Sequence, residues 1–147
     1  MNDVRFFTLD GKPRGKARVR VPRTRKAYTP ENTRNYERAL RQAYQKNCGD
    51  KPLITGPVIL LIFAVFEPPK SASKKKREEM LLGHILPTIK PDYDNIAKIV
   101  GDALNGVAWL DDKQIVNASV HKYYGETPRV SVQIMEHPCI YNKPEGE

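Results

Sequence analysis

The sequence predicts an α+β fold in one domain: a mixed β-sheet of four to five strands with three helices. Two observations carry this expectation. A length of 147 residues suits a single domain that buries a core without staples, and 39% hydrophobic against 29% charged residues is the balance of a folded chain. The apolar pattern also switches between a period near two and a period near 3.6 along the chain, so strands and helices share one unit. The domain is expected over residues 1–136, with 137–147 a polar tail.

Val4 to Leu9 alternates loosely and reads as a first strand, closed by the turn pair Asp10-Gly11. A basic stretch follows, from Lys12 to Lys26. Within it Arg14, Lys16, Arg18 and Arg20 recur at period two, so an extended backbone puts them on one face, with Arg23 and Arg25 just beyond. Pro13 and Pro22 argue for an edge strand or an arm. Cations spaced by about 6–7 Å roughly match the phosphate repeat of one nucleic-acid strand. A solvated, edge-protecting basic strand is the plainer alternative.

Asn32 to Lys46 shows helical spacing through Tyr36, Ala39/Leu40, Ala43 and Tyr44, and Gly49 is placed to end the helix. Val58 to Phe66 is a continuous apolar run rich in β-branched residues, expected as a central strand covered on both faces. Ser71 to Leu82 is expected as a second helix, with Ser71 or Ser73 as its cap. Lys74, Lys75 and Lys76 crowd its first turn against the helix dipole, an arrangement that a phosphate partner would relieve. From Asp94 to about Val107, Ile96, Ile99, Val100, Ala103, Leu104 and Val107 form one apolar helical face. Gln114 to Tyr124 and Arg129 to Met135 are two strands around the turn Gly125-Glu126-Thr127-Pro128.

The net charge of +8 is unevenly distributed. Residues 1–90 hold 20 Lys/Arg and 8 Asp/Glu, a net of +12, whereas residues 91–147 hold 5 and 9, a net of −4. A basic body attracts a polyanion. The longest apolar run, Val58 to Phe66, is far short of the roughly 20 residues that span a bilayer, and Met-Asn-Asp-Val-Arg lacks the layout of a secretory signal. Cys48 and Cys139 belong to no CxxC pair. A cytoplasmic protein with free thiols is expected.

The acidic residues concentrate in Lys90-Pro91-Asp92-Tyr93-Asp94-Asn95-Ile96-Ala97-Lys98 and in Asp111-Asp112. Asp94, Lys98 and Asp102 are successive i,i+4 neighbours, so the lysine stands between two carboxylates, and Asp102 is expected to pair with it. Asp92 or Asp94 could cap free backbone amides at the helix start. Converging carboxylates repel unless a cation neutralises them. Oxygen donors without paired His or Cys point to Mg2+ or Mn2+, which polarise a phosphodiester and activate a bound water. Lys98 would then stabilise charge on the phosphate or orient the water. Helix capping and surface ion pairs explain the same residues without chemistry. In an extended segment Asp111 and Asp112 face opposite ways, and Asp112 is expected as the ligand with Asp111 secondary. His84, His121 and His137 show no ligand spacing and are expected to be structural.

At Lys90 to Asn95 with Lys98, at Asp102-Ala103-Leu104-Asn105-Gly106 and at Trp109 to Val116, the chain resembles the RusA family of Holliday-junction resolvases. Gly11-Lys12-Pro13, Arg18 and Tyr28-Thr29-Pro30 are similar too, so the resemblance runs from about residue 5 to residue 135. It implies a RusA-like domain and a Mg2+-dependent endodeoxyribonuclease of phage or prophage origin. It also implies a homodimer that makes paired symmetric nicks across a four-way DNA junction in recombination and repair. The catalytic set that it implies is Asp92, Asp94, Lys98 and Asp112. The chain departs from the family's pattern in its lysine-rich helix, Ser73 to Leu82. A nuclease for flaps or forks, and a non-catalytic nucleic-acid-binding module, remain the alternatives.

Overall fold

A computed structural model describes residues 3–19, 21–24 and 26–138. Arg20, Arg25, Cys139 and the tail from residue 139 onward, which the sequence reading included, lie outside the described residues. The chain runs β1 (Val4–Asp10), α1 (Glu31–Cys48), β2 (Val58–Phe66), α2 (Lys74–Leu81), α3 (Tyr93–Leu104), β3 (Ile115–Tyr124) and β4 (Arg129–Glu136). The four strands form one mixed sheet in the order β1-β4-β2-β3. β4 pairs antiparallel with both β1 and β2, while β2 and β3 are parallel. A parallel pair needs a long crossover, and the segment carrying α2 and α3 supplies it.

The strands on either side of Gly125-Glu126-Thr127-Pro128 are not a hairpin. β2 lies between them, because its apolar run makes it the best-buried partner for both. The expectation for β2 itself needs one correction: it is interior to the sheet, but only its inner face is covered throughout, while Leu81 and Leu82 at the end of α2 partly shield Phe63 and Val65 on the other. Val58, Leu60, Ile62 and Ala64 are buried, whereas Ile59, Leu61 and Phe63 are half-buried. Helices α1 and α3 pack on the inner face, against each other and against β1 and β3. α3 turns Ile96, Ile99, Val100, Ala103 and Leu104 into the core, all at 0% exposure, where they meet Phe7, Leu40, Tyr44, Val132 and Ile134. Burying five such side chains is worth about 1.5–3 kcal/mol for each of the larger ones, so α3 is anchored along its whole length. Tyr36 and Ala43 pack at the margin of the same core.

α2 differs. It begins at Lys74, three residues later than its expected start, with Ser73 as the cap accepting a 3.2 Å hydrogen bond from the Lys76 amide. It buries no residue. Among its described residues the basic stretch forms no edge strand; residues 12–19 follow an irregular path. Among the described residues no helix is long and apolar enough to cross a membrane.

Candidate metal and phosphate site

The polar face of α3 and the segment entering β3 meet in a cleft of about 480 Å³, lined by Tyr93, Asp94, Ala97, Lys98, Gly101 and Asp102 from α3, by Asp112, and by Ile115, Ala118 and Val120 from β3. Helical geometry puts Asp94, Lys98 and Asp102 in one row. Asp112 comes from a different part of the chain, on the short 3₁₀ turn Asp112–Gln114. Neither Asp94 nor Lys98 has an ion-pair partner among the described residues.

Asp111 and Asp112 separate into distinct roles. Asp111 caps the turn, its side chain accepting from the Lys113 amide at 2.9 Å. Gln114 closes the box by accepting from the amides of Leu110 and Asp111, each at 2.9 Å, and its amide group donates to the carbonyls of Ile54 and Gly56. This turn is therefore fixed to the segment leading into β2. Asp112, freed from capping, enters the cleft, and Oδ1 accepts a 2.9 Å hydrogen bond from the indole N–H of Trp109.

Asp92 occupies the N-cap position of α3, but its side chain makes no capping bond, and neither does that of Asp94. Asp92 is exposed and stands outside the cleft lining. Among the described residues, no group of three or more His, Cys, Asp or Glu side chains is assembled tightly enough to hold a metal. The four aspartates expected as ligands are thus not one cluster. Asp94 and Asp112 share the cleft, Asp92 is at its approach, and Asp111 is engaged elsewhere. The histidines form no ligand group: His84 meets Glu79, and His121 stacks between Phe63 and Tyr123.

Asp102 does not pair with Lys98. It pairs with Lys16 at 3.1 Å, and Lys16 also bonds Glu37 on α1. Burial by itself would lower the Lys16 pKa, but the hydrogen bonds to Glu37 and Asp102 outweigh it and hold the value above the ordinary 10.5. Lys16 is therefore removed from the phosphate-binding set: its side chain is 15% exposed and committed to two carboxylates. Its backbone amide donates to the Asn95 carbonyl at 2.9 Å. Gly15 makes this approach possible, since a Cβ there would sit 2.7 Å from Pro91 Cβ and 2.9 Å from Asn95 Cβ. The basic arm is consequently strapped across the first turn of α3. Arg14 and Arg18 flank the strap and are exposed, as are Arg23 and, on α2, Lys74, Lys75 and Lys76. On the far side, Lys122 of β3 donates to the carbonyls of Ile89 and Pro91 and steadies the approach to α3.

A hard divalent cation suits this donor chemistry. Asp94 and Asp112 offer oxygens only, and Mg2+ is commonly held by one or two carboxylates with waters and substrate phosphate completing its shell. Sequence reasoning missed Gly15, the ion pairs of Lys16, and Trp109 as a donor. The Pro-Arg-Gly-Lys run and the Trp three residues ahead of Asp112 were the available signals, but each gains meaning only from tertiary contact.

Residues 10–135 match the sequence profile of the family described as Endodeoxyribonuclease RusA. The chain is also 48% identical over 86 residues to the uncharacterized protein YqaN of Bacillus subtilis (strain 168); the alignment covers 57% of this chain and 61% of that protein.

Proposed function

This chain belongs to the RusA endodeoxyribonuclease family, and on that premise we propose that it is a Mg2+-dependent endonuclease resolving four-way DNA junctions. The observation that carries the reading is the meeting of Asp94, Lys98 and Asp112 in one cleft beside an exposed basic arm. Asp94 and Asp112 would hold the cation, with Asp92 joining from the start of α3. Mn2+ would serve in its place. When bound, the cation supplies charge neutralisation on the phosphodiester and a lowered pKa for water.

The chain's own residues do the rest. Lys98, one turn into α3 and without an ion-pair partner among the described residues, faces the phosphate and stabilises the charge that builds on it during attack. Asp102, drawn off by Lys16, does not neutralise Lys98. Arg14, Arg18 and Arg23 follow the backbone of the incoming strand, and Lys74, Lys75 and Lys76 extend the positive surface along α2. Each cleft makes one incision. Paired symmetric nicks across a junction therefore call for two copies of the chain, most simply related by a two-fold axis.

The test is side-by-side digestion of a synthetic four-way junction, a fork, a flap and a plain duplex. The wild type should cut the junction fastest, and Asp94→Asn should lose cleavage while still binding it. Full activity in that variant would remove the site, and preference for a flap or fork would change the substrate.

A further inference from the structure

Trp109 is the chain's single tryptophan and is completely buried. A buried indole N–H requires an acceptor. Here the acceptor is Oδ1 of Asp112, a residue that lines the cleft. The tryptophan is itself rigidly held: its carbonyl accepts from the Gly106 amide at 2.8 Å, and its backbone bridges to Ile54 and Asn105. The other carboxylate oxygen, Oδ2, takes no protein hydrogen bond among the described residues. Gly101 of α3 faces it, and even a Cβ there would remain 3.9 Å from Oδ2.

We propose that Trp109 is a positioning residue for Asp112, fixing one carboxylate oxygen from the core side so that the other is presented to a cation in the cleft. The inference rests on the metal-dependent reading above and deepens it. A carboxylate on a short turn has free χ angles, and each wrong rotamer lowers the population able to bind. The indole removes that freedom before the cation arrives, and a neutral donor does so without competing for the charge. Partners that orient a metal ligand from behind typically contribute 10–100-fold to metal affinity.

With one tryptophan in the chain, the indole gives one ¹⁵N–¹H resonance. Titration of the full chain with Mg2+ alone, without DNA, should move that resonance saturably, together with the backbone amides of Asp94 and Asn95. In Asp112→Asn the indole signal should no longer respond. Trp109→Phe keeps the ring in the core but has no donor, and its Mn2+ affinity by calorimetry should fall 10–100-fold. Val132→Ala, a core truncation on β4 outside the cleft lining, should lose stability yet keep the wild-type affinity. Movement of the Asp94 and Asn95 amides with an unmoved indole overturns the inference and spares the metal site. A wild-type chain in which neither responds overturns both. Wild-type Mn2+ affinity in a folded Trp109→Phe likewise overturns the inference.

Discussion

At the scale of single residues, the cleft depends on which carboxylates are neutralised and which are left open. Lys16 occupies Asp102 and Glu37, and Asp111 caps a turn, so Asp94 and Asp112 are the cleft carboxylates without an ion-pair partner among the described residues. Replacing Lys16 by Ala would leave two carboxylates facing each other without a partner. Stability should fall by about 1 kcal/mol, the low end of the cost of stripping a partner from a polar group, because both carboxylates are only partly buried. Urea unfolding checks this: the midpoint should drop while its slope is unchanged. Because the folded Lys16 pKa is raised, the stability it contributes is complete below the ordinary lysine value of 10.5. It is lost as pH rises through the elevated folded value. The gap between wild type and Lys16→Ala should therefore be flat through neutral pH and close only in strongly alkaline solution. A gap that closes near neutral pH would show that the ion pairs are not its source. None of this was legible in the sequence, where Lys16 is one cation in a row of four. Its neighbours are residues 37 and 102, and no local pattern reports on them.

At the scale of the element, α3 was the most legible part of the chain. A period of 3.6 sorts Ile96, Ile99, Val100, Ala103 and Leu104 onto one face and Asp94, Lys98 and Asp102 onto the other, and the fold follows that division. Gly101 interrupts an otherwise good helix. An interior glycine costs roughly 0.5–1 kcal/mol relative to alanine, and its position beside Asp112 gives the cost a reason. Gly101→Ala should raise the thermal midpoint, because the methyl group would meet the Asp112 oxygens only at ordinary contact distance. Cleavage should nevertheless fall by about tenfold, since the methyl group would fill cleft volume that a hydrated cation and the phosphate need. Melting and cleavage assays on the same sample decide the matter; a stabilised variant with full activity would show that the glycine serves the helix alone. α2 was less legible. Its lysines are readable, but its start is set by the Ser73 cap, and with no buried face it leaves no periodic signal.

At the scale of the whole molecule, the strands were readable and their order was not. Val58 to Phe66 announces an interior strand by composition, yet the placement of β2 between β3 and β4 arises from pairings distant in sequence. The coverage of the sheet was overread for the same reason: a continuous apolar run cannot say that one face receives two helices and the other only the end of α2. Phe6, Phe63 and Tyr123 lie on that second side, beside Leu81 and Leu82. Charge organisation was legible from composition, a positive body with a local acidic patch, and the exposed arginines of the strap and lysines of α2 display it at the surface. What composition could not supply is the return of Asp112 to α3; the resemblance over Trp109 to Val116 supplied that position, and the turn fixed by Gln114 explains it.

The central claim is that these acids hold a divalent cation for cutting branched DNA, and one measurement bears on it most directly. Wild-type protein and Asp112→Asn are mixed with a labelled synthetic four-way junction, with Mg2+ and with chelator in its place. The account predicts incision by the wild type only with Mg2+ and none by Asp112→Asn, with both proteins retaining the junction in a binding assay. Incision in chelator, or undiminished incision by Asp112→Asn, would contradict it.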